Sequence, residues 1–551
     1  MKHIAKANFF IKSHSTLPAQ HRIIIGWNLA PCPFSLVARI LKLVTCPLSL
    51  VPCYLLLVTC LSAQTHISAD PYYLLLIEKA QFQEELPFGS NIFRPMFFNT
   101  DSTSFSVSIR NEEYFNDNAP NQENMDVRYV SKGSASFNSL QIAFNSPYFS
   151  FIAEPYIISN KFQSVDGINR AGTFSVLNDQ PLSVSQKPRS GGFRNFMAFL
   201  HYKGLGFGWH EGNRWWGPGI HSSLQMTNNT VPIPAQIIGT IQEIRWGALG
   251  IYGLYSFSRL NDRKGSEAVY FTSLNGQLSW YGPMVISLGF SRNYLTGGKN
   301  ISNYTWTKED AKKIVFEDLL TSDLIGKEYT VGGHDLWDQT LSGYMTITLP
   351  KRNLKAYVEI GFNDNRMYFA DFLSQPDHSM ATVFGIRDYG VGNNKNWVWG
   401  FEWINLMITY TSRFRPTGPG TWYNRELYDY STYSSRRWGA HSGTDSDDWY
   451  IYAGYLSNKL MVIPALNYER HGIVSYRPAE VKLEFRLDTR YKYKDMWFGI
   501  YYEKQFEAFL GFPDYFYVND QGQPIDASEG KLANSRRTNT LIFSLSKTID
   551  F

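Results

Sequence analysis

Beyond residue 60 the chain has no cysteine: all four, Cys32, Cys46, Cys53 and Cys60, lie before that point. The rest of the chain therefore has no disulfide framework, no thiolate metal site and no cysteine nucleophile. The first 63 residues lack Asp and Glu but carry six basic side chains (Lys2, Lys6, Lys12, Arg22, Arg39, Lys42). Basic residues followed by the mostly apolar stretch 43–61 read as a secretory leader. Leu61-Ser62-Ala63 before Gln64 offers the cleavage site, while Pro47 and Pro52 interrupt the apolar run and some of the start is longer than a leader needs. Thr59-Cys60 leaves a lipoprotein site as an alternative. After residue 63 no apolar run approaches the roughly 18 residues of a spanning helix. Removing the leader takes six of 52 cations, leaving 46 against 48 acidic groups and a net charge near −2. Basicity is thus no argument for a nucleic-acid partner, and none is expected.

The remaining 488 of 551 residues contain no composition shift, long linker or low-complexity tract that would divide them. What recurs is two-residue alternation. Phe105, Val107 and Ile109 oppose Ser104, Ser106, Ser108 and Arg110; Met284, Ile286, Leu288 and Phe290 oppose Ser287, Gly289 and Ser291. Val481, Leu483, Phe485 and Leu487 oppose Lys482, Glu484, Arg486, Asp488 and Arg490, a charged face that suits a wet lumen or an open surface. The end of the chain repeats the pattern, with Leu541, Phe543, Leu545, Ile549 and Phe551 on one face and Thr540, Ser544, Ser546, Thr548 and Asp550 on the other. A strand with one apolar and one polar face is tolerated in a bilayer only when the sheet closes, because every backbone group must find a partner. The expected fold is all-β, a transmembrane antiparallel barrel of about 16–20 strands, best 18, with a polar, plugged lumen.

Turns and aromatics agree. Met345, Ile347 and Leu349 run into Pro350-Lys351-Arg352-Asn353, and Leu354, Ala356, Val358 and Ile360 run out, a tight hairpin of periplasmic type. Long polar connections around 110–130, 293–340, 411–448 and 512–537 are expected outside the cell. Aromatics make up 16% of the chain and cluster as in Trp397, Trp399 and Trp403, or Tyr501 and Tyr502, which suits interfacial girdles. The expected organisation is a leader over 1–63, a periplasmic segment over 64–100 with a short helix near Tyr72–Gln83, and the barrel over 101–551.

The most individual stretch runs from His201 to Thr240. It holds Tyr202-Lys203-Gly204-Leu205-Gly206-Phe207-Gly208, then Glu211-Gly212-Asn213-Arg214-Trp215-Trp216-Gly217-Pro218-Gly219-Ile220-His221-Ser222-Ser223-Leu224, then Thr227-Asn228-Asn229 and Pro232-Ile233-Pro234. This stretch resembles the Wzi-type capsule assembly proteins, and the likeness extends from about residue 130 to the C-terminus, with Val127-Arg128-Tyr129-Val130 leading in. The resemblance implies a monomeric outer-membrane barrel that holds capsular or other surface polysaccharide without chemistry, needs no cofactor or metal, and meets the barrel-assembly machinery during biogenesis. Related barrels serve gliding motility, so the family leaves the cargo open.

Glycines and Pro218 suit irregular backbone folded into a lumen, which survives at membrane depth only against protein or water. Glu211, Arg214 and His221 are expected to pair across that lumen; Trp215, Trp216, Asn228 and Asn229 either pack the plug or touch a ligand. Between Arg413 and Trp449 lie Trp422, Tyr423, Tyr428, Tyr430, Tyr433, Arg436, Arg437 and Trp438. Aromatic faces and guanidinium forks suit an acidic glycan, and packing of the loop on itself is the alternative. Rival readings need other features. His221-Ser222 with Glu402 or Asp388 would make a hydrolase, without a nucleophile elbow to support it. Asp445, Asp447 and Asp448 would hold Ca²⁺, but no loop ending in Glu follows, and a solvated loop is the expectation. A diffusion porin would keep the charged face but not the glycine-rich plug.

The terminal aromatic generates a test. Deleting Phe551 should impair assembly, because it closes the apolar face of the last strand; normal heat-modifiable protein in the outer-membrane fraction after the deletion would contradict this.

Overall fold

In the computed structural model the described residues are 66–97, 102–120, 123–180, 189–260, 269–297, 338–363, 373–392, 394–414, 421–424, 426–512 and 534–550. The expected leader, Phe551 and most of the expected loops at 293–340 and 512–537 lie outside them.

Among the described residues, eighteen antiparallel strands close into one barrel. In chain order they are β1 (Ser104–Asn116), β2 (Gly133–Asn145), β3 (Phe149–Phe162), β4 (Gly191–Tyr202), β5 (Leu205–Gly212), β6 (Ile233–Thr240), β7 (Leu249–Leu260), β8 (Val269–Tyr281) and β9 (Val285–Gly297). The circle continues with β10 (Asp338–Leu349), β11 (Leu354–Asn363), β12 (Met380–Val391), β13 (Trp397–Asn405), β14 (Ser446–Leu456), β15 (Leu460–His471), β16 (Glu480–Tyr493), β17 (Met496–Ala508) and β18 (Arg536–Asp550). Each strand pairs with its sequence neighbours, and β18 returns to β1 in a register running from Thr540 opposite Asn116 to Asp550 opposite Ser106. No strand edge is left open, which is what a lipid environment demands.

Alternation sets the faces as the pattern requires. Phe543, Ile549, Leu288, Phe290, Leu483 and Phe485 are exposed on the outer wall, while Thr540, Ser287, Glu484 and Arg486 are buried inside. Short turns gather at one end: Pro350–Arg352 forms a single 3₁₀ turn, Asn353 closes it at φ 52°, and its N–H donates to the Pro350 carbonyl at 3.1 Å. Both ends of the strand circle, Ser104 and Asp550, lie at this end, and the long connections lie at the other. Exposed Trp246, Trp280, Trp397, Tyr491 and Tyr493 ring the short-turn half; Trp403, which packs against Trp449 at 5.4 Å, and Tyr468 mark the opposite half.

Protein occupies much of the lumen among the described residues. A helix, α1 (Pro71–Phe82), lies inside the barrel near the short-turn end instead of in the periplasm beside it. Its Lys79 donates to Asn396 Oδ1 at 2.9 Å and to the Leu456 carbonyl, both next to short turns. Glu78 receives Lys355 at 2.7 Å, Arg387 at 3.0 Å and the Tyr389 hydroxyl at 2.6 Å from the wall. Leu74, Leu75 and Ile77 pack with Val398, Tyr452, Leu456, Met461 and Ile463. The apolar surface of this short helix is thus covered by the inner wall, and its one acid meets two wall cations.

Burial raises the Glu78 carboxyl, but Arg387 and Lys355, with hydrogen bonds from Lys355 and Tyr389, outweigh it and hold the group at about 2. A depressed carboxyl contributes stability above its unfolded value of 4.5 and loses that contribution as pH falls through 2. Glu78→Ala should lower the temperature of heat modification, since stranding Lys355 and Arg387 costs about 3–5 kcal/mol. It should also flatten the acid limb of the wild-type profile between those two pH values; an unchanged melting curve at pH 7 would remove Glu78 as an anchor.

Candidate functional site

The chain between β5 and β6, residues 213–232, folds into the lumen as irregular backbone. Such backbone carries polar groups that neither lipid nor a ladder satisfies, so each needs a partner from protein. Wall and N-terminal side chains supply those partners. Glu402 on β13 accepts the N–H groups of Ile220 at 2.5 Å, His221 at 3.1 Å and Ser222 at 3.3 Å. Glu359 on β11 accepts the Leu224 N–H at 3.2 Å and the Ser223 hydroxyl at 3.0 Å. Carbonyls are met by cations: Arg94 donates to Gly219 at 2.8 Å, and Arg387 to Pro218 at 2.9 Å. The N-terminal segment adds a two-residue ladder, Phe93 opposite Trp216 and Arg94 opposite Trp215. Gly217 adopts φ +145°, where a side chain would also collide with the Ser223 hydroxyl, which accounts for the glycine after the two tryptophans.

Beyond this layer the plug meets the long connections. Asn228 accepts the Asp126 N–H at 2.9 Å and donates its amide to the Asn124 carbonyl at 3.0 Å. Asn229 donates to the Asn178 amide oxygen at 3.1 Å and the Arg437 carbonyl at 3.0 Å. Thr227 N–H reaches the Trp438 carbonyl at 2.6 Å. Charged groups fill what remains. Arg194 binds Asp126 at 2.9 Å and Glu154 at 2.9 Å, and Arg128 binds Asp126 at 3.0 Å and Asp70 at 3.4 Å. Burial raises the Asp126 carboxyl, yet Arg128 and Arg194 hold it below the ordinary range. Glu123 takes Lys482 and Arg486 of β16, and Arg170 links Asp179 at 2.8 Å to Glu480 at 2.7 Å. The five charges of β16 thus face inward and engage in ion pairs.

Several expectations change. Arg214 donates to His210 Nδ1 at 3.2 Å and to the Ile233 carbonyl at 2.9 Å, not to Glu211. Glu211 follows Leu205, Phe207 and Trp209 on the outward parity of β5, so the expected pair cannot form across the lumen. His221 does turn inward, but its partner is Asp448 at 2.9 Å. Trp215, Trp216, Asn228 and Asn229 are buried and belong to the plug, out of reach of an external ligand. Trp422, Tyr423, Tyr428, Tyr433 and Trp438 are buried too; Trp422 donates to the Ser379 carbonyl at 2.8 Å and Trp438 packs on Phe271 at 5.1 Å.

Arg436 and Arg437 do not face outward. Arg436 is buried over the Tyr129 ring at 5.3 Å; Arg437 lies over Tyr423 at 4.9 Å and donates to Thr173 Oγ1 at 3.0 Å. Burial pulls the Arg437 guanidinium down to about 10, with Tyr423 and Glu469 opposing. Packing of this connection on itself is therefore the arrangement adopted. The Asp cluster is buried as well and not a solvated loop. Asp445 accepts the Ser475 N–H at 2.8 Å, Asp447 accepts Arg470 Nε at 2.8 Å, and Asp448 faces His221. The constellation of His221, Ser222 and Glu402 or Asp388 does not assemble: the Ser222 hydroxyl is buried without a hydrogen-bond partner, Glu402 is engaged by backbone, and Asp388 lies on the outward parity of β12.

Glu359, Arg387 and His441 were not legible as site residues, although inward parity on an identified strand would have nominated the first two; Glu402 was named, but for a hydrolase and not as an acceptor for plug backbone. On the outside of the long-connection end, Tyr410 and Phe414 are 71% and 70% exposed and meet edge to face at 5.2 Å, with exposed Arg413 beside them.

No family model and no curated protein matches the chain. Among solved structures it is similar to Wzi, described as an outer membrane protein involved in group 1 capsule assembly in Escherichia coli and a carbohydrate-binding β-barrel. That likeness has a TM-score of 0.50 at 10% identity, covering 79% of this chain and 83% of that one. OpdQ of Pseudomonas aeruginosa superposes at 0.40 with 10% identity over 82% of this chain and 100% of its own. OprD of the same organism gives 0.38 with 9% identity over 82% and 95%. The last two are too loose to carry an argument. The chain has the fold of an outer-membrane β-barrel.

The two wall carboxylates generate a test of the plug. Replacing Glu359 and Glu402 together by Ala removes the acceptors of at least five buried hydrogen bonds, worth roughly 0.5–1.5 kcal/mol each, and should release the 213–232 segment. Purified variant barrels should then conduct ions in planar bilayers where wild type is silent; a silent double variant with wild-type melting would show that these carboxylates do not hold the plug.

Proposed function

We propose that the protein resides in the bacterial outer membrane as a closed barrel that binds surface polysaccharide by its outward face and anchors it there, with no chemical step. The observation that carries this reading is the filled lumen. A conduit for solutes needs a continuous aqueous path, whereas here α1, the 213–232 segment and four sets of ion pairs occupy the interior. A barrel whose described interior is occupied in this way is suited to presenting a surface. The motif resemblance and the similarity in fold to a carbohydrate-binding capsule barrel point the same way, each supplying a direction and no residue role.

With Arg436 and Arg437 buried, the contact surface shifts to groups that solvent reaches. Tyr410 and Phe414 offer apolar ring faces for the C–H side of a sugar, and Arg413 offers a guanidinium for a carboxylate or hydroxyl. Deleting the gene should detach the capsule layer seen by imaging, and the triple replacement of Tyr410, Arg413 and Phe414 by Ala should release polysaccharide into the medium while the barrel still assembles. Stepwise, porin-like conductance by wild type together with an intact, cell-attached layer in the deletion strain would overturn the reading in favour of a diffusion channel.

A further inference from the structure

His221 of the plug segment comes together inside the barrel with His441, in the connection between β13 and β14, and with Asp448 of β14 itself. One ligand atom of each lies within 4.8 Å of the other two, and all three residues are buried. The Asp448 oxygen Oδ2 is 2.9 Å from His221 Nε2 and 3.2 Å from His441 Nε2. A tetrahedral ion with bonds of about 2.0–2.1 Å holds its ligands roughly 3.3 Å apart, so the two histidine–carboxylate spacings are already near those of a filled site. Asp448 has no Lys or Arg within ion-pair distance among the described residues, although it is fully buried. His441 supplies the second, independent observation: it is 2% exposed, and neither ring nitrogen makes a hydrogen bond. Its Nε2 lies 3.2 Å from Asp448 Oδ2 without the alignment of a hydrogen bond, so burial leaves the ring with no donor or acceptor of good geometry.

We propose that these three side chains bind one divalent transition-metal ion of the zinc class and that the ion clasps the plug and the 406–445 connection to the barrel wall. Two imidazoles and one carboxylate suit Zn²⁺ and its neighbours, not Ca²⁺ or Mg²⁺, which take oxygen ligands. The surroundings orient the donors: His221 stacks on Tyr450 at 4.2 Å with the rings within 6° of parallel, and Asn467 donates to Asp448 Oδ1 at 2.5 Å, leaving Oδ2 to the metal. Glu123 and Glu469 form a second trio with His441, but Lys482 bridges both and Arg486 binds Glu123, so cations already serve them. The ion therefore belongs on the Asp448 side. In a chain without cysteine past residue 60, it is the cross-link available to lock long connections over the barrel.

The test uses the full barrel purified in detergent, stripped with chelator, and titrated with Zn²⁺ or Co²⁺. Expected are one equivalent retained through gel filtration by elemental analysis, a tetrahedral-type visible spectrum for Co²⁺, and a higher temperature of heat modification with metal than without. His441→Ala and Asp448→Asn should each weaken uptake by at least about tenfold, while His471→Ala, at a buried histidine outside the trio, should leave it unchanged. Wild type that retains no stoichiometric Zn²⁺ or Co²⁺ would overturn the proposal without reliance on any variant. So would uptake undiminished in folded His441→Ala.

Discussion

Everything in this molecule depends on one demand: backbone N–H and C=O groups at membrane depth must be satisfied by protein, because lipid offers nothing in exchange. The wall meets it by closing, β18 on β1. The interior then faces the same demand a second time, since the 213–232 segment has neither helix nor ladder over most of its length. Glu359 and Glu402 take its N–H groups, and Arg94 and Arg387 take its carbonyls. Charged wall residues thus act as substitutes for a missing ladder partner.

Burying so many charges is tolerable only because they are paired. A lone buried ion is expensive, and a pair gains back that cost only with good geometry and further hydrogen bonds. Asp126 with Arg128 and Arg194, and Glu78 with Lys355 and Arg387, meet both conditions. Among the described residues the consequence is a lumen occupied by paired side chains and folded-in backbone. The polysaccharide contact proposed above therefore falls on the outer end, where Tyr410, Arg413 and Phe414 are exposed.

The barrel was legible because lipid forces contrast between adjacent residues. Leu483 against Lys482 and Glu484, or Phe543 against Ser544, could be read in two-residue steps, and Pro350–Asn353 marked a turn by its own residues. α1 was legible in extent but not in place, since a short apolar helix looks alike in the periplasm and in a lumen. The plug partners were not legible: Glu402 and Ile220 lie 182 residues apart, and no local pattern connects them. Glu211 was misjudged because strand β5 extends one turn of alternation further than the glycines suggest, which sends its side chain outward. For Arg436 and Arg437 the sequence leaves outward contact and packing of the loop on itself both open, because charge ordinarily avoids burial while the neighbouring rings favour it. Here tyrosine rings and carbonyls enclose them.

Amide hydrogen exchange on the reconstituted wild-type barrel tests the central claim most directly. If the 213–232 segment is a fixed plug, the N–H groups of Ile220, His221, Ser222 and Leu224 should exchange as slowly as those of neighbouring β11 and β13. Exchange at the rate of an open loop, while those strands stay protected, would contradict the account.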